Sequence, residues 1–289
     1  MLQSILLQLL IIINGLGAAS GIVYYNNNVY VVSDDLPLLF QYNLDTNTQN
    51  QIAFQSTLDL NQITKKNKLD FESLTLVKDQ LYALGSGSKE NRNEFHSYNL
   101  KTKETKKYDV GNVYAQLRSM FHVSEKDFNI EGFSFYKGKS YLFNRGNGKN
   151  QVNGIFIFNG LPHLSNLSSS KFVRIQLPTI NNQQTTFSDA IIVKNKIIFT
   201  ATIEVESDVY NDGEIKESII GLMDLKTFHI EKFHIIAKNQ KIEGITLKDF
   251  SKKNYHFLFC EDNDDHGNQA KIYELKLDKN FNILNEKPN

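Results

Sequence analysis

Short runs of alternating apolar and polar residues follow one another along this chain, and one such run recurs five times. Each copy places a polar residue before a small residue and then continues with apolar residues, which predicts a β-strand. The copies lie at residues 19–24, 69–76, 128–135, 187–193 and 241–247. The polar residue is Ser20 in the first copy and an acid in the others, namely Glu72, Glu131, Asp189 and Glu243. Such recurrence is typical of a repeat architecture.

The repeating unit is 52 to 59 residues long, measured between positions 20, 72, 131, 189 and 243. After each copy a polar turn leads into a second apolar run, which predicts a β-hairpin. Most units contain two further strand-like runs, and a four-stranded unit of this length is typical of a propeller blade. The sequence therefore predicts an all-β fold, a single β-propeller of five four-stranded blades (six possible), with residues 1–289 as one domain. Residues 113–121 predict a short amphipathic helix between two blades.

The N-terminal residues allow two interpretations. An apolar run at residues 4–13 is followed by small residues at 17–19 that resemble a signal-peptide cleavage site. However, a secretory signal begins with positive charge, and no Lys or Arg precedes Lys65. Because the fifth unit lacks an outer strand, residues 3–13 are predicted to supply it and so to close the ring. We therefore favour a closing strand and a cytoplasmic location; if residues 1–19 are a signal peptide, the protein is periplasmic or secreted.

Composition narrows the classes of partner. The chain has 32 Lys and Arg against 32 Asp and Glu, so no net field attracts nucleic acid, and no nucleic-acid partner is predicted. The apolar runs are too short to span a bilayer. A single Cys260 excludes an internal disulfide, and the scatter of seven His argues against a zinc site. We expect a monomer whose partner is a small anionic ligand or another protein.

Acids are predicted to converge on one mouth of the propeller channel. Equivalent strand starts lie at the same mouth, and a hairpin returns the end of its second strand to that mouth. The predicted charged groups there are Asp34, Glu72, Glu131, Asp189, Glu243 and Glu261, with Arg145 as the main cation. Because side chains alternate along a strand, Glu131 is predicted to share a face with Phe133.

These crowded carboxylates leave two interpretations open. They need protonation, pairing with a cation or a bound ion, and oxygen ligands suit Ca²⁺ or Mg²⁺. Alternatively, each acid at a strand start caps backbone N–H groups of an adjacent loop and has a structural role alone.

Two glycine-rich turns occur only once each. Residues 144–148 (Asn-Arg-Gly-Asn-Gly) contain Arg145 and Asn147, and residues 85–92 contain Lys89 and Arg92. Such turns present backbone N–H groups and cations to an anion. The predicted ligand-binding residues are therefore Arg145, Asn147, Lys89 and Arg92, together with Asp34 and Glu261.

Pairs of short motifs recur in a fixed order over nearly the whole chain. They are Ala19-Ser-Gly-Ile22 with Asp34-Asp35, Asp70-Phe-Glu72 with Gly85-Ser-Gly-Ser88, Asn129-Ile-Glu-Gly132 with Asn144-Arg-Gly-Asn147, Ser188-Asp189 with Asp212-Gly-Glu214, and Ile242-Glu-Gly244. In this order they resemble an uncharacterised family of bacterial β-propellers, which is distantly similar to phytase-like and esterase-like propellers.

In phytase-like propellers, acidic residues at the channel mouth bind Ca²⁺ and the ions hold phosphate. The resemblance therefore implies Ca²⁺ or Mg²⁺ as a cofactor, with Glu72, Glu131, Asp189 and Glu243 as the metal ligands. One predicted function is a metal-dependent hydrolase of a small anionic ester or phosphoester, with Glu131 and Arg145 as catalytic residues. The alternative is a non-catalytic propeller that binds a ligand or a protein, so the sequence leaves open whether the chain is an enzyme.

Overall fold

The protein is a five-bladed β-propeller. The computed structural model describes residues 7–54, 68–207, 211–251, 253–262 and 268–284, with side chains described outside residues 204–216. Strands dominate the described residues and form five four-stranded antiparallel sheets, which are the blades. The predicted fold class is confirmed, with five blades.

The strands are numbered along the chain, beginning with β1 (Gln8–Asn14), which belongs to the last blade. Blade one contains β2 (Ala19–Tyr25), β3 (Asn28–Ser33), β4 (Leu38–Asn43) and β5 (Thr48–Ala53). Blade two contains β6 (Phe71–Val77), β7 (Gln80–Gly85), β8 (Glu94–Asn99) and β9 (Thr105–Asp109). Blade three contains β10 (Ile130–Tyr136), β11 (Lys139–Asn144), β12 (Gly154–Asn159) and β13 (Asn166–Arg174).

A two-stranded hairpin precedes blade four; its strands are β14 (Thr179–Ile180) and β15 (Gln183–Gln184). Blade four contains β16 (Thr186–Val193), β17 (Lys196–Ser207), β18 (Asn211–Asp224) and β19 (Ile230–Lys238). Blade five contains β20 (Lys241–Phe250), β21 (Asn254–Asp262), β22 (Gln269–Asp278) and, as its outer strand, β1.

The N-terminal strand closes the ring. β1 pairs antiparallel with β22, in a register that sets Leu9 opposite Tyr273 and Asn14 opposite Gln269. This pairing supplies the outer strand that the fifth unit lacks. The predicted closing strand is therefore confirmed for Gln8–Asn14, while residues 1–6 lie outside the described residues.

A tight turn sets the register of the first hairpin in blade one. Asn26 and Asn27 have φ of +48° and +57°, and they join Tyr25 to its partner Asn28. Type I′ hairpin turns need positive φ at both central residues, a conformation that Asn tolerates better than most residues.

The hydrophobic core lies between neighbouring blades. Phe95 of blade two meets Phe133 of blade three edge to face, with ring centroids 5.9 Å apart, and Phe143 meets Phe187 of blade four at 5.5 Å. Apolar side chains on alternate strand positions therefore join each blade to the next, as two-sided burial in a propeller requires.

The predicted helix between blades two and three is confirmed as α1 (Gly111–Phe121). It buries Tyr114 and Leu117 in the core between those blades, and the Tyr114 hydroxyl donates a 2.8 Å hydrogen bond to the Gly85 carbonyl. Among the helices of the described residues, none combines the length and hydrophobicity needed to cross a membrane.

Candidate functional site

A β-bulge lies at the start of the first strand in every blade. The ladder to the second strand skips one residue at that point, and the skipped residues are Ser20, Glu72, Glu131, Ser188 and Glu243. A bulge interrupts strict alternation and redirects side chains. Glu131 lines the channel mouth, whereas Phe133 packs in the core between blades two and three. The prediction that these two side chains share a face is therefore wrong.

Blade four is offset by one residue from the sequence repeat. Its bulged residue is Ser188, so Ser188 is the structural counterpart of Glu131, and Asp189 takes the place of Gly132. The two bulged serines behave alike: the Ser20 hydroxyl donates to the Phe71 carbonyl of blade two, and the Ser188 hydroxyl donates to the Ile242 carbonyl of blade five.

Asp189 is a buried cap between blades four and five. Its Oδ1 accepts a 2.7 Å hydrogen bond from the Ala190 N–H, and its Oδ2 accepts a 2.9 Å hydrogen bond from the Ile245 N–H. Burial raises the pKa of Asp189 well above its usual value, although these two hydrogen bonds oppose the shift. Asp189 does not line the mouth, and its contacts are those of the capping role.

A pocket of about 430 Å³ opens at the channel mouth. The first strands of the five blades contact one another around the axis, which brings their bulges together. The predicted site residues that line the pocket are Asp34, Glu72, Arg92, Glu131, Arg145 and Asn147. Lys68, Asp70, Lys241 and Asp262 line it as well.

Three carboxylates form an acidic triad on one side of the pocket: Asp34, Asp70 and Glu72. Each offers an oxygen, and these oxygens all lie within 4.8 Å of one another. Lys68 lies 2.5 Å from Asp34 Oδ2 and 3.4 Å from Asp70 Oδ1, while Arg92 lies 2.7 Å from Asp70 Oδ2. Glu72 has no ion pair or hydrogen bond to another described residue.

The pKa values of two triad residues reflect this crowding. Burial raises the pKa of Asp34 to about 7, although the Lys68 ammonium opposes the shift. Burial, followed by repulsion from Glu131, Asp70 and other carboxylates, raises the pKa of Glu72 well above its usual value. The triad therefore carries its negative charge at a cost that a cation would lower.

Arg145 occupies the other side of the mouth. Its Nη1 lies 3.3 Å from Glu131 Oε2 and 3.8 Å from Glu243 Oε1, and its Nε lies 3.3 Å from Thr186 Oγ1 of blade four. Blade four has Ser188, not an acid, at the bulge position. The Arg145 guanidinium from blade three therefore lies between the acids of the two flanking blades, Glu131 and Glu243.

Glu243 is buried beside this pair. Its Oε1 lies 2.9 Å from Lys241 Nζ, which also lies 3.3 Å from Asp262 Oδ2. Neither Glu243 oxygen has a hydrogen bond of good geometry among the described residues, and only 3% of the residue is exposed. Glu243 is therefore held by charge attraction.

Two predicted ligand-binding residues lie elsewhere. Lys89 is exposed before the short 3₁₀-helix Glu90–Arg92, away from the pocket lining. Glu261 is buried outside the pocket, where its Oε2 accepts a 2.5 Å hydrogen bond from the Tyr273 hydroxyl. Asp212, predicted within a motif, belongs to the residues whose side chains are not described.

Sequence reasoning assigned no role to Lys68, Asp70 or Lys241. Asp70 and Lys241 each precede a bulged acid by two residues, and Lys241 lies within the same strand as its acid, β20. That spacing was a usable signal. Lys68 lies before β6 begins, where no strand periodicity applies.

Residues 15–277 match one family, described as a family of unknown function, DUF6929. The chain belongs to this family. No curated protein is significantly similar to the chain.

Two solved structures of similar fold cover nearly the whole chain. Glutaminyl cyclase from Myxococcus xanthus superposes with a TM-score of 0.52 at 10% identity, over 94% of this chain and 98% of that one. The major allergen Mala s 1 of Malassezia sympodialis superposes with a TM-score of 0.53 at 12% identity, over 91% and 93%. At such identities the likeness concerns the fold alone.

The donor set of the acidic triad fits a hard cation. All donors are carboxylate oxygens, which Ca²⁺ and Mg²⁺ prefer. Asp34 Oδ1 is buried without a hydrogen-bond partner among the described residues, so it remains free to coordinate. The mouth contains seven carboxylates, Asp34, Asp70, Glu72, Glu125, Glu131, Glu243 and Asp262, and five cations, Lys68, Arg92, Lys126, Arg145 and Lys241. The carboxylates therefore outnumber the cations by two, which is the charge of one divalent cation.

Proposed function

We propose that the channel mouth binds a divalent cation, Ca²⁺ or Mg²⁺, through Asp34, Asp70 and Glu72, and with it a small anionic ligand. The observation that carries this proposal is the geometry of the triad, whose three carboxylate oxygens lie within 4.8 Å of one another. Coordination distances of about 2.0 to 2.6 Å allow one ion to contact all three.

Glu72 is the central ligand in this proposal. Every other carboxylate at the mouth lies near a cationic side chain, whereas Glu72 has no ion pair to another described residue. Neighbouring carboxylates, first among them Glu131, repel it. A bound cation removes this repulsion, so binding and folding stability are linked.

The rest of the pocket suits a small polar anion beside the ion. Arg92 lines the same pocket, and the exposed Asn147 lies at its rim. A volume of about 430 Å³ is within the range of small-molecule sites. An anion here would contact the ion on one side and these cationic and amide groups on the other.

Isothermal titration calorimetry with CaCl₂ and MgCl₂ tests the proposal on wild type, Glu72→Gln and Glu104→Gln. We expect one site in the wild type, loss of binding in Glu72→Gln, and wild-type binding in Glu104→Gln. Glu104→Gln makes the same charge change in the turn between β8 and β9, at the end of blade two that lies away from the channel mouth. Absence of heat with both ions, or unchanged binding in Glu72→Gln, would contradict the proposal.

A second candidate is hydrolysis of a small phosphoester or ester. The observation in its favour is that Glu131, at 3% exposure, lines the same pocket as the triad and is positioned by Asn129 and Arg145. In this candidate a bound divalent cation supplies positive charge for the developing anion. Glu131 accepts a proton from the attacking water, Arg92 binds the anion, and Arg145, which is engaged with Glu131 and Glu243, positions Glu131.

Chromogenic phosphoesters and esters, assayed with Ca²⁺ and with Mg²⁺, separate the two candidates. Turnover by wild type that is lost in Glu131→Gln, while cation binding persists, supports hydrolysis. Cation binding without turnover of any substrate supports the binding function alone.

A further inference from the structure

Lys68 places an ammonium group inside the acidic triad. Its Nζ lies 2.5 Å from Asp34 Oδ2 and 3.4 Å from Asp70 Oδ1, and its side chain is 11% exposed. Burial by itself lowers the pKa of Lys68, but attraction to Asp34 outweighs burial and raises it above its usual value. Lys68 is therefore charged, and the triad already contains one positive group.

We propose that Lys68 is a built-in cation that competes with the divalent cation for Asp34 and Asp70, so that an ion binds only when the lysine side chain leaves. This inference rests on the proposed function and concerns the regulation of the same site. The lysine holds the triad together when no ion is bound, and its displacement sets the ion concentration at which the site fills.

The distances make joint occupancy unfavourable. An ion that coordinates Asp34 and Asp70 lies about 2.0 to 2.6 Å from their oxygens. Lys68 Nζ is at a similar distance from Asp34 Oδ2, so ion and ammonium would be near neighbours. Like charges about 4 Å apart repel by several kcal/mol at the effective dielectric of a protein surface.

Lys68 lies outside the strand ladder, and its carbonyl accepts a 2.9 Å hydrogen bond from Asn91 Nδ2. Residues 68–70 precede β6, which begins at Phe71, so strand pairing does not fix the Lys68 backbone. Its four-carbon stem is flexible. Arg92 stays with Asp70 at 2.7 Å, so the triad keeps one partner when Lys68 leaves.

Calorimetric titration of Ca²⁺ into wild type, Lys68→Met and Lys126→Met tests the competition. Methionine keeps most of the stem and removes the charge. We expect Lys68→Met to bind Ca²⁺ about tenfold more tightly or better, because the ion no longer displaces an ammonium. Lys126 is an exposed lysine on the same pocket and controls for general electrostatics, so Lys126→Met should bind within about twofold of wild type.

The outcomes separate the two levels of the proposal. Equal or weaker affinity in Lys68→Met, or an equal gain in Lys126→Met, overturns the competition and leaves the cation site standing. Absence of binding in both wild type and Lys68→Met overturns the cation site and the competition with it.

A measurement on the wild type covers the case in which Lys68→Met fails to fold. Reductive methylation of lysines, followed by peptide mass spectrometry, reports how accessible each ammonium is. We expect saturating Ca²⁺ to increase the modification rate of Lys68 several-fold and to leave that of Lys126 unchanged. A Lys68 rate that Ca²⁺ leaves unchanged or lowers would show that the lysine stays in the triad.

Discussion

Arg145 Nη1 lies 3.3 Å from Glu131 Oε2, and the same atom lies 3.8 Å from Glu243 Oε1. Both acids are buried at the starts of first strands, on either side of blade four, where the ring residue is Ser188. One guanidinium thus balances the negative charge of acids from blades three and five, next to the position where blade four has a serine.

Arg145→Met should remove a cationic partner from two buried carboxylates, Glu131 and Glu243, of which Glu243 keeps Lys241 at 2.9 Å. Breaking a buried ion pair costs about 3 to 5 kcal/mol, and we expect a loss of that size in the free energy of unfolding, measured by urea denaturation. Lys101→Met is the control, since Lys101 pairs with Asp79 at 2.7 Å, its side chain is 74% exposed, and its replacement should change the free energy of unfolding little. Adding Glu131→Gln to Arg145→Met should recover part of the loss; equal effects of Arg145→Met and Lys101→Met would contradict this account.

Glu72→Gln should stabilise the protein in the absence of divalent cations. The change removes a carboxylate that repels its neighbours and has no ion pair to another described residue. We expect a higher melting temperature than wild type in EDTA, and a smaller increase on adding Ca²⁺, measured by differential scanning fluorimetry. A melting temperature that falls in EDTA would show that Glu72 is stabilising as a structural residue.

Asp189→Ala should weaken the contact between blades four and five without changing cation binding. The Ala190 and Ile245 N–H groups would lose their acceptor in a buried place. Leaving buried donors unpaired costs about 1 to 3 kcal/mol each, so the urea midpoint should fall clearly. Ca²⁺ affinity at the triad should stay within about twofold of wild type. Loss of Ca²⁺ binding in a folded Asp189→Ala variant would contradict this account and support the sequence prediction that Asp189 is a metal ligand.

Asp127 should make stability depend on acid pH. Burial by itself raises its pKa, but hydrogen bonds from Ser124 and Asn150 outweigh burial and lower the pKa below its usual value. A depressed carboxyl pKa contributes stability that is complete above the unfolded value of about 3.9 and is lost as pH falls through the folded value. Urea unfolding between pH 5 and pH 2.5, in wild type and Asp127→Asn, measures this slope.

The expected result is a steeper acid loss in wild type than in Asp127→Asn, which lacks the titrating group. The same residue supports the pocket wall, because Asn150 and the close-packed Gly148 lie against its carboxylate. Parallel slopes in the two proteins would show that Asp127 is not responsible.

Gly21→Ala tests the close approach of blades one and two. An added Cβ would lie 2.5 Å from the Leu74 backbone nitrogen, which has no flexible side chain to move aside. Overpacking of this kind costs about 1 to 3 kcal/mol, and the strain should appear as a lower melting temperature. Gly138→Ala is the comparison, since its φ of +77° is also unfavourable to alanine but nothing lies within 4 Å of the added atom. A smaller loss in Gly21→Ala than in Gly138→Ala would contradict the packing argument.

The amino-acid sequence determined the blades, because strand alternation and hairpin turns are local properties that each repeat of 52 to 59 residues carries within itself. It also determined the closing strand, since the fifth unit lacked an outer strand and the N-terminus offered an apolar one. The sequence also predicted that Asp34, Glu72, Glu131 and Arg145 share one mouth, because first-strand starts and second-strand ends of antiparallel hairpins lie at the same end.

The tertiary structure alone decided which of these groups meet. The bulge in blade four could lie at Ser188 or at Asp189, because a shift of one residue in hydrogen-bond register moves it from one to the other. In the structure the bulge lies at Ser188, and Asp189 accepts a hydrogen bond from the Ile245 N–H as a cap. The reach of Arg145 to Glu243 and of Lys68 to Asp34 joins residues far apart in sequence through long, flexible side chains. Such contacts follow from the positions of whole blades, so local pattern cannot assign them.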